Sequence, residues 1–361
     1  MRIEENQGLA QHTTLGVGGK ARRYVEVETA GELVDALKGA HEAHLPVFIL
    51  GGGSNVLVGD EGFEGVVIRL GMKGMTWESR EGSEIVRVDA GAKFDDVVAE
   101  SCRRGLAGIE SLSGIPGSAG GALVQNIGAY GQEISECFVS ARVIHRETLE
   151  EAEFGREAMA FGYRHTALKS ANSPWVVTSL TLRLVPYDMQ TAVKRCEAHG
   201  FKRLAVNRPR CAEALREVVL ETRRSKGMVY DEKDVNTHSV GSFFVNPVVS
   251  EKDAQRHNAA NILRNQKPMP SYPCEGGVKL SAAWLIEQSG FSRGFLHRGA
   301  GLSALHSLAI INRGGATSAD VVSLAEEIVR GVYKYFRIEL CPEVVYLGPR
   351  GVVEPFLKPV Q

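Results

Sequence analysis

Three short stretches of the chain carry residue types suited to chemistry. Phe161-Gly-Tyr163-Arg164 sets a guanidinium beside two aromatics. Such a fork binds a carboxylate or phosphate bidentately, although a surface arginine at a strand end has the same spelling. Gly241-Ser242-Phe-Phe-Val-Asn246-Pro247 places a hydroxyl between glycine and bulky rings. A partly desolvated hydroxyl there could relay a proton. The pattern is not the G-x-S-x-G elbow, so acyl transfer is not indicated, and a plain buried strand start is the simpler reading. Cys341-Pro342-Glu343-Val-Val-Tyr brings a carboxylate into an apolar strand, or leaves it at a sheet edge.

Two glycine-rich stretches could cradle a ligand. Leu50-Gly51-Gly52-Gly53-Ser54-Asn55 follows an apolar run. Its backbone N–H groups can approach an anion closely, and its short polar side chains add donors. It is neither G-x-G-x-x-G nor a Walker loop, and a tight turn would read alike. Ser113-Gly114-Ile115-Pro116-Gly117-Ser118-Ala-Gly-Gly121 continues to Gln125-Asn126-Ile-Gly128-Ala-Tyr-Gly131. Small residues there would let a flat or extended ligand lie on backbone, or form an irregular core loop. Two such loops suit a dinucleotide better than a mononucleotide.

Strands and helices alternate around these motifs, which argues for an α/β or α+β fold. Strands are predicted at 23–28, 47–50, 65–70, 84–89, 141–145, 175–185 and 308–311. Thr29 and Glu32 have capping-box spacing before a short helix. Helices are also predicted over 94–104, in charged segments from 187 to 224, and over 282–288. A long helix after Gly314-Gly315 is predicted with Ser318 as N-cap. Its buried stripe is Val321, Val322, Ala325, Ile328, Val329, Val332 and Phe336. A last strand, 344–347, is placed to pair back into the first unit.

Composition bounds the rest. In 361 residues, 43% are hydrophobic and 24% charged, an ordinary globular mix. The net charge is -1, which argues against a general nucleic-acid binder. The six cysteines form no C-x-x-C, so zinc, haem and thioredoxin signatures are absent, and reduced cytosolic thiols are expected. The 22 uncharged residues from Ser111 to Gln132 include six glycines and Pro116. They would make a poor lipid helix. The N-terminus has no apolar targeting core, and His41 and His44 lack the company of other ligands, so no metal is expected.

In family order, the motifs resemble the UDP-N-acetylenolpyruvoylglucosamine reductases, also called UDP-N-acetylmuramate dehydrogenases. The resemblance rests on His12-Thr-Thr-Leu, the two glycine-rich stretches, Phe161-Gly-Tyr-Arg164, Gly241-Ser-Phe-Phe-Val-Asn-Pro247, Ala283-Trp-Leu-Ile-Glu-Gln288 and Pro342-Glu-Val. It implies an α+β architecture: a two-domain FAD-binding fold of the vanillyl-alcohol-oxidase (PCMH) type, plus a third α+β substrate-binding domain. The implied division is 1–71, joined by a C-terminal strand in 342–361, then 72–224, then 225–341.

The implied reaction uses FAD as cofactor and NADPH as co-substrate. Hydride passes from flavin N5 to the terminal carbon of the enolpyruvyl ether of UDP-N-acetylglucosamine, giving UDP-N-acetylmuramate for peptidoglycan. Arg164 and Glu343 match the family residues beside the substrate carboxylate, and Ser242 the proton donor. Cofactor contacts are implied for Gly51, Gly52, Gly53, Ser54, Asn55, Ser113, Gly114, Ile115, Pro116, Gly117, Ser118, Gly121, Asn126, Gly128, Tyr163 and Arg223. Substrate contacts are implied for Lys226, Asn246, His306 and a tyrosine over the uridine, Tyr187 or Tyr230. Val345 stands where some members are basic. The implied setting is a cytoplasmic monomer with small-molecule partners, and neither nucleic acid nor membrane.

Overall fold

The computed structural model describes residues 1–169, 173–199, 201–265, 268–274 and 276–357. A four-stranded sheet comes first, in the order Arg2–Gly8, Lys20–Val27, Phe63–Leu70, Val47–Leu50. The last three are mutually parallel, and Arg2–Gly8 adds an antiparallel edge. Parallel neighbours need a crossover, and helix Ala30–Glu42 supplies it, burying Leu33, Ala36, Leu37 and Ala40. Thr29 Oγ accepts from Glu32 N at 3.1 Å. The Glu32 carboxylate takes the N–H of Glu28 instead of Thr29, so only half of the capping box forms.

The second sheet is antiparallel, in the order Glu151–Phe154, Phe138–His145, Trp175–Pro186, Ser83–Asp89, Met75–Arg80. Helix Phe94–Arg103 buries Phe94, Val97, Val98 and Cys102 against it. Val25, Ile68 and Leu37 of the first unit share one continuous core with Val86, Val88, Leu180 and Leu182 of the second. The two sheets are therefore fixed rigidly to each other. Helices Met189–Ala198, Lys202–Asn207 and Ala212–Arg224 then lead to the third unit.

That unit has two small three-stranded sheets, and helices Ala282–Gln288 and Ser318–Phe336. The N-cap of the long helix is Thr317, not Ser318. Thr317 and Asp320 cap each other reciprocally, while Ser318 Oγ accepts from Asp60 N at 2.9 Å. Leu324 joins the buried stripe, and Val322 and Phe336 lie at its margin. Strand Val345–Gly348 pairs in parallel with Val56–Val58, which returns the chain end to the first unit.

Candidate active site

The two glycine-rich loops nest into each other. Strand Val47–Leu50 runs into Gly51-Gly52-Gly53, which packs on Pro116-Gly117-Ser118. A Cβ on Gly52 would lie 2.5 Å from Gly117 Cα, and one on Gly51 would lie 2.5 Å from Ser118 Oγ. Ser54 Oγ donates to Pro116 O at 3.1 Å. Glycine is required here first because backbone meets backbone. The same turns line a cavity of about 610 Å³. Of the residues singled out by sequence, Gly51 to Asn55, Ile115 to Ser118, Gly121, Gly128, Arg164, Arg223, Ser242 and Glu343 share its wall.

Short backbone pairings fix the reactive end. Glu343 N donates to Phe243 O at 2.8 Å, and Val245 N to Cys341 O at 3.0 Å. This antiparallel register sets Ser242 and Glu343 on one wall. Asn55 Nδ2 donates to Glu343 O at 3.2 Å, and Val345 N to Asn55 O at 3.1 Å. The first glycine loop is thereby tied to the glutamate.

Arg164 holds φ at +53°, a left-handed conformation uncommon for a side-chain-bearing residue. Its Nε lies 3.1 Å from Glu343 Oε1. Nη2 donates to Gly128 O at 2.5 Å and Nη1 to Asn126 O at 3.4 Å. A guanidinium has five N–H donors; with Nε facing Glu343, one N–H on each of Nη1 and Nη2 has no partner among the described residues and is left for a carboxylate. Lys169 Nζ donates to Arg164 O at 2.8 Å. Burial pushes this ammonium below the usual lysine range, against the pull of Glu343.

Other residues fall behind or beside the cavity. Ser113 is fully buried, its Oγ donating to Glu110 O at 2.7 Å. Gly114 N donates to Asp95 Oδ1 at 2.6 Å. Buried Asn126 spends its Nδ2 on Glu133 Oε2 and Gly162 O. These three shape the wall without facing the cavity, and Asn126 O instead orients Arg164.

Tyr163 and Asn246 line a second cavity of about 760 Å³ that shares Arg164 and Lys169 with the first. Lys279 Nζ stands 5.1 Å from the Tyr163 ring centroid. His306 lies beside Lys226, Arg293 and Arg223. Burial, reinforced by the charges of Lys226 and Arg293, lowers its pKa to about 4.

Tyr187 is not near either cavity wall. Its hydroxyl donates to Pro209 O at 2.9 Å, and its ring packs on the cluster of Cys196, Leu215 and Val219. That is a packing role, so the structure gives Tyr187 no place over a ligand. Tyr230 is exposed near His238. Sequence reading passed over Arg146, Lys169, Met228 and Arg350, all of which line the first cavity. No motif surrounds them. A cation directly after the apolar strand Phe138–His145 was the one signal available for Arg146.

The residues present fit a flavin dinucleotide. Two glycine-rich loops offer backbone to a diphosphate, and Ile49, Leu70, Ile115, Leu168 and Val177 give apolar wall for rings. Arg223 Nε is buried without a hydrogen-bond partner among the described residues, an orphan donor of the kind that a ligand satisfies. Residues 21–148 match the family model described as an FAD binding domain. Fold and site thus define a flavoprotein of the vanillyl-alcohol-oxidase type with an added α+β domain, the fold class expected from the resemblance.

Residues 233–347 match the C-terminal domain of UDP-N-acetylenolpyruvoylglucosamine reductase. The chain belongs to that reductase family. It is 42% identical over 351 residues to the enzyme of Nocardia farcinica, covering 96% of this chain and 90% of the relative. It is 40% identical over 356 residues to that of Mycobacterium tuberculosis, covering 96% and 95%. The solved UDP-N-acetylenolpyruvylglucosamine reductase from Thermus caldophilus superposes with a TM-score of 0.65 at 28% identity, covering 96% of this chain and 99% of that one.

Proposed function

We propose that the protein reduces UDP-N-acetylenolpyruvoylglucosamine to UDP-N-acetylmuramate with NADPH, in the cytoplasm, for peptidoglycan precursor synthesis. The observation that carries this reading is the convergence of Arg164, Ser242 and Glu343 at one end of a cavity lined by two nested glycine loops. In this reading residues 1–71 with 342–361, and residues 72–224, hold FAD. Residues 225–341 present the sugar nucleotide.

FAD held by the two glycine loops would supply the redox chemistry, with NADPH as reductant and the terminal carbon of the enolpyruvyl group as hydride acceptor. Negative charge then gathers on the substrate carboxylate. The two unspent N–H groups of Arg164 stabilise it, and such preorganised donors are commonly the largest catalytic term. Glu343 holds the guanidinium in place and Lys169 fixes its backbone. Ser242 donates a proton to the ether-bearing carbon, which completes addition across the double bond. A serine hydroxyl is a weak acid, and it suffices here because the enol carbon is strongly basic. Solvent restores its proton.

A flavin oxidase sharing only the first two units would have no need of Ser242 and Glu343 on one cavity wall. The test is spectroscopic. The purified protein should be yellow, bleach with NADPH, and regain colour on addition of the enolpyruvyl sugar nucleotide without oxygen. Bleaching without recovery on the sugar would overturn the reading.

A further inference from the structure

Arg146 is a cavity-wall cation that the proposed reaction does not use. It follows strand Phe138–His145 and lines the cavity with Pro46, Val47, Trp175 and Val176. Its backbone is fixed, because Arg146 N donates to Pro174 O at 2.6 Å. Its guanidinium is almost unspent. Nη1 makes a long 3.4 Å bond to Val47 O, and the buried Nε has no hydrogen-bond partner among the described residues. Burial pushes its pKa below the usual arginine value, with no charged neighbour contributing. A buried, unpaired cation is costly, so a site that keeps one is built for an absent acceptor or ring face.

The chain itself measures where that acceptor lies. Arg146 touches Val47, at the start of strand Val47–Leu50. The glycine turn begins at Gly51, about 13 Å further along at roughly 3.3 Å per residue. Asn55, just beyond that turn, is bonded to Glu343 at the reactive end. The order along the cavity is therefore Arg146, glycine loops, then Arg164 with Glu343. A flavin dinucleotide has the same order, with adenosine, diphosphate and redox ring in line.

We infer that Arg146 binds the adenosine half of the dinucleotide and makes the site selective for FAD over FMN. The inference rests on the flavin reading above. Adenine offers ring nitrogens as acceptors and a π face, and a planar guanidinium suits both. Trp175, held edge-on by His145 and Phe154 with centroids 4.8 and 5.1 Å away, gives a rigid apolar side to the same pocket.

The experiment strips flavin from the full-length protein and measures rebinding of FAD and of FMN by fluorescence quenching. Wild type is compared with Arg146→Met and Arg146→Lys. The expected result is FAD affinity lowered ~10–100-fold by methionine, the scale of a charge-assisted hydrogen bond, and lowered less by lysine. FMN affinity should be unchanged. If methionine proves insoluble, the lysine variant still reads the FAD-to-FMN ratio. An equal loss for both flavins, or no loss for FAD, overturns the role of Arg146 while leaving the flavin reading intact. A wild-type protein that binds neither flavin overturns that reading and this inference with it.

Discussion

Replacing Gly52 by alanine tests whether the nested loops are as close as the structure places them. The added methyl would stand 2.5 Å from Gly117 Cα, 2.9 Å from Gly117 C and 3.0 Å from Ser118 N. All three neighbours are backbone atoms, so no side chain can swing aside. Reaching the 3.4 Å of an ordinary contact requires the loops to part by roughly 0.9 Å. Overpacking of this kind costs ~1–3 kcal/mol. The same shift stretches the 3.1 Å bond from Ser54 Oγ to Pro116 O out of range, adding ~1 kcal/mol. Gly52→Ala should therefore lose ~2–4 kcal/mol and also bind FAD more weakly, since both loops line the cavity. Gly39→Ala is the control, because Gly39 lies inside helix Ala30–Glu42 with nothing within 4 Å of its added methyl. It should be neutral or stabilising by up to ~1 kcal/mol. Denaturant melts of the flavin-free proteins, with FAD titrations alongside, decide the matter. A Gly52→Ala protein as stable as the Gly39→Ala control, with FAD affinity intact, would refute the nested geometry.

Arg164→Met should bind FAD and accept hydride from NADPH normally but lose most reduction of the sugar nucleotide, and rapid mixing separates the two half-reactions. If flavin reduction fails as well, the guanidinium serves the flavin instead of the substrate carboxylate. Ser242→Ala should slow flavin reoxidation by the enolpyruvyl substrate ~10²–10⁴-fold, and Ser242→Cys should recover part of it; a wild-type rate in the alanine variant refutes proton donation. Cys341→Ser, at an exposed thiol, should retain full turnover in steady-state assay, and inactivation with flavin still bound would contradict this. His306 has a folded pKa near 4, below its unfolded value of ~6.5. Its contribution is thus complete above pH ~6.5 and lost as pH falls towards 4, by at most ~3 kcal/mol, and less for its partial exposure. His306→Gln should flatten the loss of stability between pH 7 and 5 in denaturant melts, and an unchanged slope would refute the shift.

What was legible in the sequence followed from rules that act locally. Apolar runs gave the strands at Val47–Leu50 and Trp175–Pro186, and glycine density gave the two loops. Thr317 was legible but missed. Two adjacent hydroxyls both suit an N-cap, and only Asp320, three residues after Thr317, distinguishes them. Ser113 and Asn126 are a different case. Short polar residues in a glycine-rich loop can face a ligand or brace the wall from behind, and only tertiary packing decides which. Tyr187 fails for the same reason, since an aromatic body with a polar tip is equally suited to Pro209 O and to a ligand. Lys169 and Arg146 carry no motif, because a side chain reaching a cavity from the middle of a sheet or loop depends on contacts that local spacing does not encode. The second meaning of the glycines was also hidden. Spacing suggested room for a ligand, whereas Gly52 and Gly117 primarily make room for each other.

The pairing of Val345–Gly348 with Val56–Val58 has a consequence for how the chain matures on the ribosome. Asn55 and Glu343 are separated by 288 positions, so the second arm of the reactive end is translated long after the first. During synthesis, Val56–Val58 is an edge without its final partner, and an open edge invites wrong pairings. The flavin cavity acquires Glu343 and Val345 only after the whole intervening chain has emerged. Parallel pairing over such a separation carries a large loop-closure cost. Assembly of the reactive end is therefore a late event, and a polypeptide cut short before Val345 lacks the strand that ties the glutamate to the glycine loop.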